Sequence, residues 1–83
     1  MEQADIDPQL KKEIESLISY LGRKERQVSF DAIDALVKMG EPAIPALIQA
    51  LTSEDGVVRM DASAALGGIG EPAVPALIEV LRK

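Results

Sequence analysis

Gly40-Glu41-Pro42-Ala43-Ile44-Pro45-Ala46-Leu47-Ile48-Gln49-Ala50-Leu51 returns thirty residues later as Gly70-Glu71-Pro72-Ala73-Val74-Pro75-Ala76-Leu77-Ile78-Glu79-Val80-Leu81. The agreement extends upstream, where Asp31-Ala32 matches Asp61-Ala62 and Ala35-Leu36 matches Ala65-Leu66. A degenerate third copy precedes these: Ile14, Leu17, Ile18 and Leu21 lie thirty residues before Ile44, Leu47, Ile48 and Leu51. Self-similarity at a fixed period marks units that each bury their apolar face only by stacking on a neighbour.

Each unit reads as two helices. Ile44, Leu47, Ile48 and Leu51 fall at i, i+3, i+4 and i+7, one stripe of a helix. Val28, Ala32, Ala35, Leu36 and Met39 form a second stripe, repeated as Val58, Ala62, Ala65, Leu66 and Ile69. No alternating strand pattern is present. Asp7 followed by Pro8 is a helix start, and Gly22, Gly40 and Gly70 are helix stops. Thr52, Ser53 and Asp55 are candidate N-caps for the next helix. Pro45 and Pro75 fit only within a first turn, where a missing N–H has no partner to lose. Either that turn is loose or the helix starts nearer Ile44; the loose turn is the reading taken. The pattern predicts five helices, at about 8–21, 24–39, 42–52, 55–69 and 72–82, in one all-α domain over 1–83. It divides into a half repeat (8–21) and two full repeats (24–52 and 55–83).

The composition excludes several functions. The 83 residues hold 47% hydrophobic side chains and a net charge of −5, too apolar for disorder and too interrupted by charge for a membrane span. A chain this short hides only about 60–65% of its unfolded surface. Glu2, Asp5 and Asp7 stand where a leader peptide needs positive charge. The absence of Cys excludes disulfides and thiolate metal sites and fits a reducing cytoplasm. The absence of His removes the commonest general base and metal ligand. One Tyr, one Phe and no Trp in an acidic chain leave neither a basic face nor a stacking platform for nucleic acid. No catalytic residue, cofactor site or metal site is expected.

The run Val58-Arg59, Ala62, Ala65-Leu66-Gly67, Ile69-Gly70, followed by Ala73-Val74-Pro75-Ala76-Leu77-Ile78 and Leu81, resembles the short HEAT-like repeat named for phycobilisome lyases. The resemblance covers 24–83 well and 8–21 weakly. It implies a right-handed α-α superhelix, first helices outside and second helices inside, binding protein on the inner face. Ser29 stands where the resemblance calls for the Arg matched by Arg59, so a ladder between repeats through Arg59 is incomplete. A relative hydroxylates a modified lysine with iron held by His-Glu pairs, chemistry this chain lacks the His to perform. The signatures of ankyrin and tetratricopeptide repeats are missing.

Two surfaces are candidate sites. Opposite the core stripe of the second helices lie Ser16 and Ser19, then Ala46 and Gln49, then Ala76 and Glu79, with Lys12, Pro42 and Pro72 alongside. That smooth, nearly uncharged inner face suits a partner helix or strand. On the helix at 24–39, Phe30, Ile33 and Val37 fall opposite the core stripe, and an exposed apolar stripe marks a contact surface. It suits a symmetric homodimer unless Met1 to Ile6 folds over it. Glu41 and Glu71, each ahead of a helix, read as favourable charges at a positive helix end rather than as an acid–base pair. Asp55 and Arg59 read as an i,i+4 ion pair, and Arg23, Lys24 and Arg26 as a solvated basic loop or a docking point for an acidic partner. The function expected is a non-catalytic protein-interaction scaffold. The alternative is an accessory or chaperone-like subunit of a phycobilin-lyase-type or other cofactor-loading complex. The closing Arg82-Lys83, without a polar cap repeat, also fits a fragment of a longer array.

Overall fold

The computed structural model describes residues 7–82, except the side chain of Val80; Met1 to Ile6, and with them the expected cover over Phe30, lie outside the described residues. Five α-helices follow one another: α1 (Pro8–Ser19), α2 (Arg26–Met39), α3 (Ile44–Ala50), α4 (Gly56–Ile69) and α5 (Val74–Leu81), with 3-10 turns at Glu41–Ala43 and Glu71–Ala73.

The local chemistry explains the boundaries. Asp7 caps α1, its carboxylate accepting the Gln9 N–H at 3.0 Å, with Pro8 in the first helical position. Asp55 caps α4 in the same way through the Val57 N–H at 2.8 Å. Of the three candidates there, Asp55 alone faces that turn; Thr52 donates back to the Gln49 carbonyl. Helix α2 starts at Arg26 rather than 24 because Ser29 holds the preceding loop. Its hydroxyl accepts the Arg23 N–H at 2.9 Å and donates to the Tyr20 carbonyl at 3.2 Å. Pro45 is accommodated by both devices considered above. The residues before it form a 3-10 turn in which the Ile44 N–H bonds the Glu41 carbonyl. The α-helix then begins at Ile44, so Pro45 stands second in it, where no donor is required. Glu71 to Pro75 repeat the arrangement.

The helices form two layers. Helices α2 and α4 pack side by side; α1, α3 and α5 line up in the other layer, and α1 meets α2 and α3 meets α4 across the interior. Leu36, Leu47 and Leu66, all at most 1% exposed, form the centre. Burial of each stabilises by roughly 1.5–3 kcal/mol relative to exposure. Around them Ala32, Ala43, Ala62, Ala65 and Ala73 are fully or nearly fully buried, and their short side chains allow close helix approach. Gly68 shows how close: a Cβ there would stand 2.7 Å from Cγ2 of Val37 on α2.

The expected core stripes are buried unevenly, Met39, Ile48, Leu51, Val58 and Ile69 being half-buried. Val28, in the first turn of α2, is exposed, although Ser29 next to it is fully buried. Ala35 is half-buried while its counterpart Ala65 is fully buried. Leu77 is only half-buried, whereas Leu47 is fully enclosed. No helix among the described residues is long and apolar enough to cross a membrane.

Candidate partner-binding groove

Between α1 and α3 runs an open groove of about 380 Å³. Helix α1 contributes Ile14 and Ile18, with Lys11 and Glu15 on the same wall; Pro42, Pro45, Ala46, Gln49 and Ala50 form the other. Apart from Gln49, that wall is made of prolines and alanines, whose short side chains leave the space beside α1 open. Lys11, Glu15 and Gln49 can satisfy the polar groups at a partner's edge. The remainder can take an apolar side chain.

Of the expected inner-face residues, Ala46 and Gln49 line this groove. Ser16 and Ser19 do not: both are exposed, and Ser19 Oγ donates to the Ser16 carbonyl at 2.6 Å. Repeat-equivalent residues on parallel units face the same way, whereas the two walls of a groove face each other. The register that carries Ala46 and Gln49 back to Ser16 and Ser19 therefore lands on the side of α1 turned away from α3. Ala76 and Glu79 lie one repeat further along, Ala76 half-buried against the core and Glu79 exposed. The sequence reading missed Lys11, Ile14, Glu15 and Ile18 as groove residues. Lys11, Ile14 and Ile18 share the i, i+3, i+7 spacing of one helical face, and the two isoleucines are core as expected, Ile14 being 3% exposed and Ile18 packed against the cluster.

The apolar stripe on α2 is not continuous. Ile33 and Val37 are half-buried and packed against the core, Val37 beside Gly68 of α4. Helical phase turns them outward when the cross-layer contact alone is counted. A helix in a layer also needs a flank for its lateral neighbour. Phe30 remains 54% exposed, with the Arg26 guanidinium 5.2 Å from its ring centre.

The charged motifs resolve differently from one another. Arg26 Nη2 meets Asp61 Oδ1 at 2.7 Å, and the other Asp61 oxygen accepts the Gly22 N–H at 2.8 Å. Arg26 is thus a structural tie, not part of a free basic cluster. Arg23 lies 5.3 Å from the Tyr20 ring centre and donates to the Ser19 carbonyl. The Asp55–Arg59 pairing is replaced: Asp55 caps α4, and Arg59 donates to the Ser53 carbonyl at 2.6 Å. Glu41 and Glu71 begin the two 3-10 turns and make no capping hydrogen bond. No group of His, Cys, Asp or Glu among the described residues is arranged to hold a metal ion.

A family model described as HEAT repeats matches residues 14–83. No curated protein and no solved structure matches the chain.

Proposed function

The chain belongs to the HEAT repeats family, and on that premise we infer that it is a non-catalytic module that binds a protein partner in the groove between α1 and α3. HEAT repeats generally mediate protein–protein interaction. The observation that carries the reading is the groove itself: an apolar cleft, open along one side, between two helices of one layer. Such a cleft accepts apolar anchors from a partner helix laid along it, while a polar rim fixes register. The narrower role, as an accessory subunit of a phycobilin-lyase-type or cofactor-loading complex, rests only on the sequence resemblance of residues 24–83. The lining of the groove by Ala46 and Gln49 supports the groove reading independently of that resemblance.

Site-specific photo-crosslinking tests it. A photoreactive residue at Gln49 should give a discrete protein adduct in native lysate, and one at Asp34, exposed on α2, should not. Ala46→Arg should remove the Gln49 adduct by filling the groove, with the helical circular dichroism retained. Equal labelling from both positions, or an adduct indifferent to Ala46→Arg, would rule out the groove.

A further inference from the structure

One line of side chains along α2 runs Arg26, Phe30, Asp34 and Lys38, at the i,i+4 spacing that makes neighbours on a helix surface. It lies on the outer flank, away from the buried Ser29, Ala32 and Leu36. Its centre is Phe30, 54% exposed and the most exposed large apolar side chain described on α2. One turn before Phe30 stands a cation, and one turn after it an anion.

Both charges are open to a further partner. The Asp34 side chain is 66% accessible and meets Lys38 at 3.1 Å on the surface. The Arg26 side chain is 35% accessible. Its Nη1 and Nη2 donate within the chain, to the Arg23 carbonyl at 2.9 Å and to Asp61 at 2.7 Å. A guanidinium carries five N–H donors, which leaves some for a second carboxylate.

The order cation, phenyl ring, anion is self-complementary. A second α2 turned antiparallel about a two-fold axis through Phe30 sets Arg26 of each copy opposite Asp34 of the other. The two Phe30 rings then meet at the axis, each with its own Arg26 guanidinium 5.2 Å from the ring centre. A parallel pairing would instead set like charge on like. Repulsion between two acidic molecules is also least here. Helix α2 holds Arg26 and Lys38 against Asp31 and Asp34, a neutral element in a chain of net charge −5.

We propose that the outer flank of α2 binds a second copy of this chain, α2 against α2 and antiparallel, in a weak two-fold dimer. Each Arg26–Asp34 pair takes one residue from each copy, so the site is incomplete in a single molecule. Ile33 and Val37, packed against the core, are not required. A contact of one helix from each copy falls short of the roughly 1,200 Å² at which stable interfaces begin. The dissociation constant should therefore be on the order of 0.1–1 mM. The dimer uses no residue of the α1–α3 groove, and at the roughly 1 µM of a lysate it is too sparsely populated to label Asp34.

The chain contains no Cys, so a spin label on a single Lys38→Cys variant can be read between molecules. It is mixed with isotope-labelled chain at about 1 mM, where such a dimer is populated. Antiparallel pairing about Phe30 brings the label near Arg23 of the other copy and keeps it far from Met39. The Arg23 amide of the isotope-labelled copy should broaden more than that of Met39, and dilution to about 20 µM should abolish the effect. Phe30→Ala and Asp34→Lys should each weaken association about tenfold, with the helical circular dichroism retained. Asp31→Lys makes the same change of charge one residue further round the helix and should leave association no weaker. Stronger broadening of Met39 than of Arg23 would overturn the proposal. So would no broadening at about 1 mM, where a dimer of this affinity must show. Broadening centred on Ile14 and Ile18, or equal weakening by Asp31→Lys and Asp34→Lys, would overturn it too.

Discussion

Asp61 is 2% exposed and holds two donors from two places, the Gly22 N–H and the Arg26 guanidinium. The two ends of the pair are not equally exposed: the Arg26 side chain is 35% accessible and that of Asp61 3%. Removing one partner of a buried pair is costly chiefly when the remaining charge stays buried. Arg26→Ala strands the carboxylate with the Gly22 N–H alone and should cost about 3 kcal/mol or more. Asp61→Ala leaves an arginine that can turn to water and should cost less, about 1.5–3 kcal/mol. Urea unfolding of the two variants checks the order; Asp61→Ala as the worse of the two would refute this account of the pair. The sequence did not reveal this contact. Asp31 and Asp61 occupy the same register, but Asp31 is exposed and accepts from Gln27 at 2.9 Å. Periodicity assigns a residue to a face and is silent on which loop will arrive there. For the same reason the repeat pattern points to Arg59, while the buried Ser29 hydroxyl organises the loop ahead of α2.

Elements were more legible than residues. All five helices lie where the apolar spacing and the Asp and Pro signals put them, and the differences are confined to the ends, where loop hydrogen bonds and proline decide. Face assignment was less secure wherever a helix has two neighbours. Periodicity turns Ile33 and Val37 outward because it carries only the cross-layer contact, and it places Ser16 and Ser19 with the groove because it translates residues along the stack without turning them to face one another. The glycine pair in α4 gives a prediction at this scale. Gly67→Ala adds a methyl to open space in a helix interior and should stabilise by about 0.5–1 kcal/mol. Gly68→Ala drives its methyl to 2.7 Å from Val37 Cγ2, and overpacking of that kind costs about 1–3 kcal/mol. Adjacent, chemically identical substitutions should thus move the melting temperature in opposite directions. A shared sign would mean that the α2–α4 approach yields more easily than the geometry indicates.

The whole molecule measures 40 × 32 × 22 Å, with α1, α3 and α5 in one layer and α2 and α4 in the other. Burial depends on where a repeat sits in that arrangement. Leu47 is fully enclosed, so Leu47→Ala should cost about 2–5 kcal/mol; Leu77, half-buried, should cost less than half as much when truncated. Denaturant titration of both variants compares them directly, and equal losses would imply that α5 is covered in solution. The Asp61 latch carries a further consequence for local opening. Its bond to Gly22 spans 39 residues of chain, more than a full repeat, and fastens the segment after α1 to α4. No described side-chain hydrogen bond or ion pair fastens α5 in a comparable way. In a repeat protein, opening proceeds unit by unit from wherever neighbours hold least. Amide protons of α5 should therefore exchange with deuterium through partial openings that leave the remaining helices intact. Those of α1 should exchange only when the latch and α4 release together, so that Asp61→Ala, which removes the Gly22 bond, speeds exchange in α1 and leaves α5 almost unchanged.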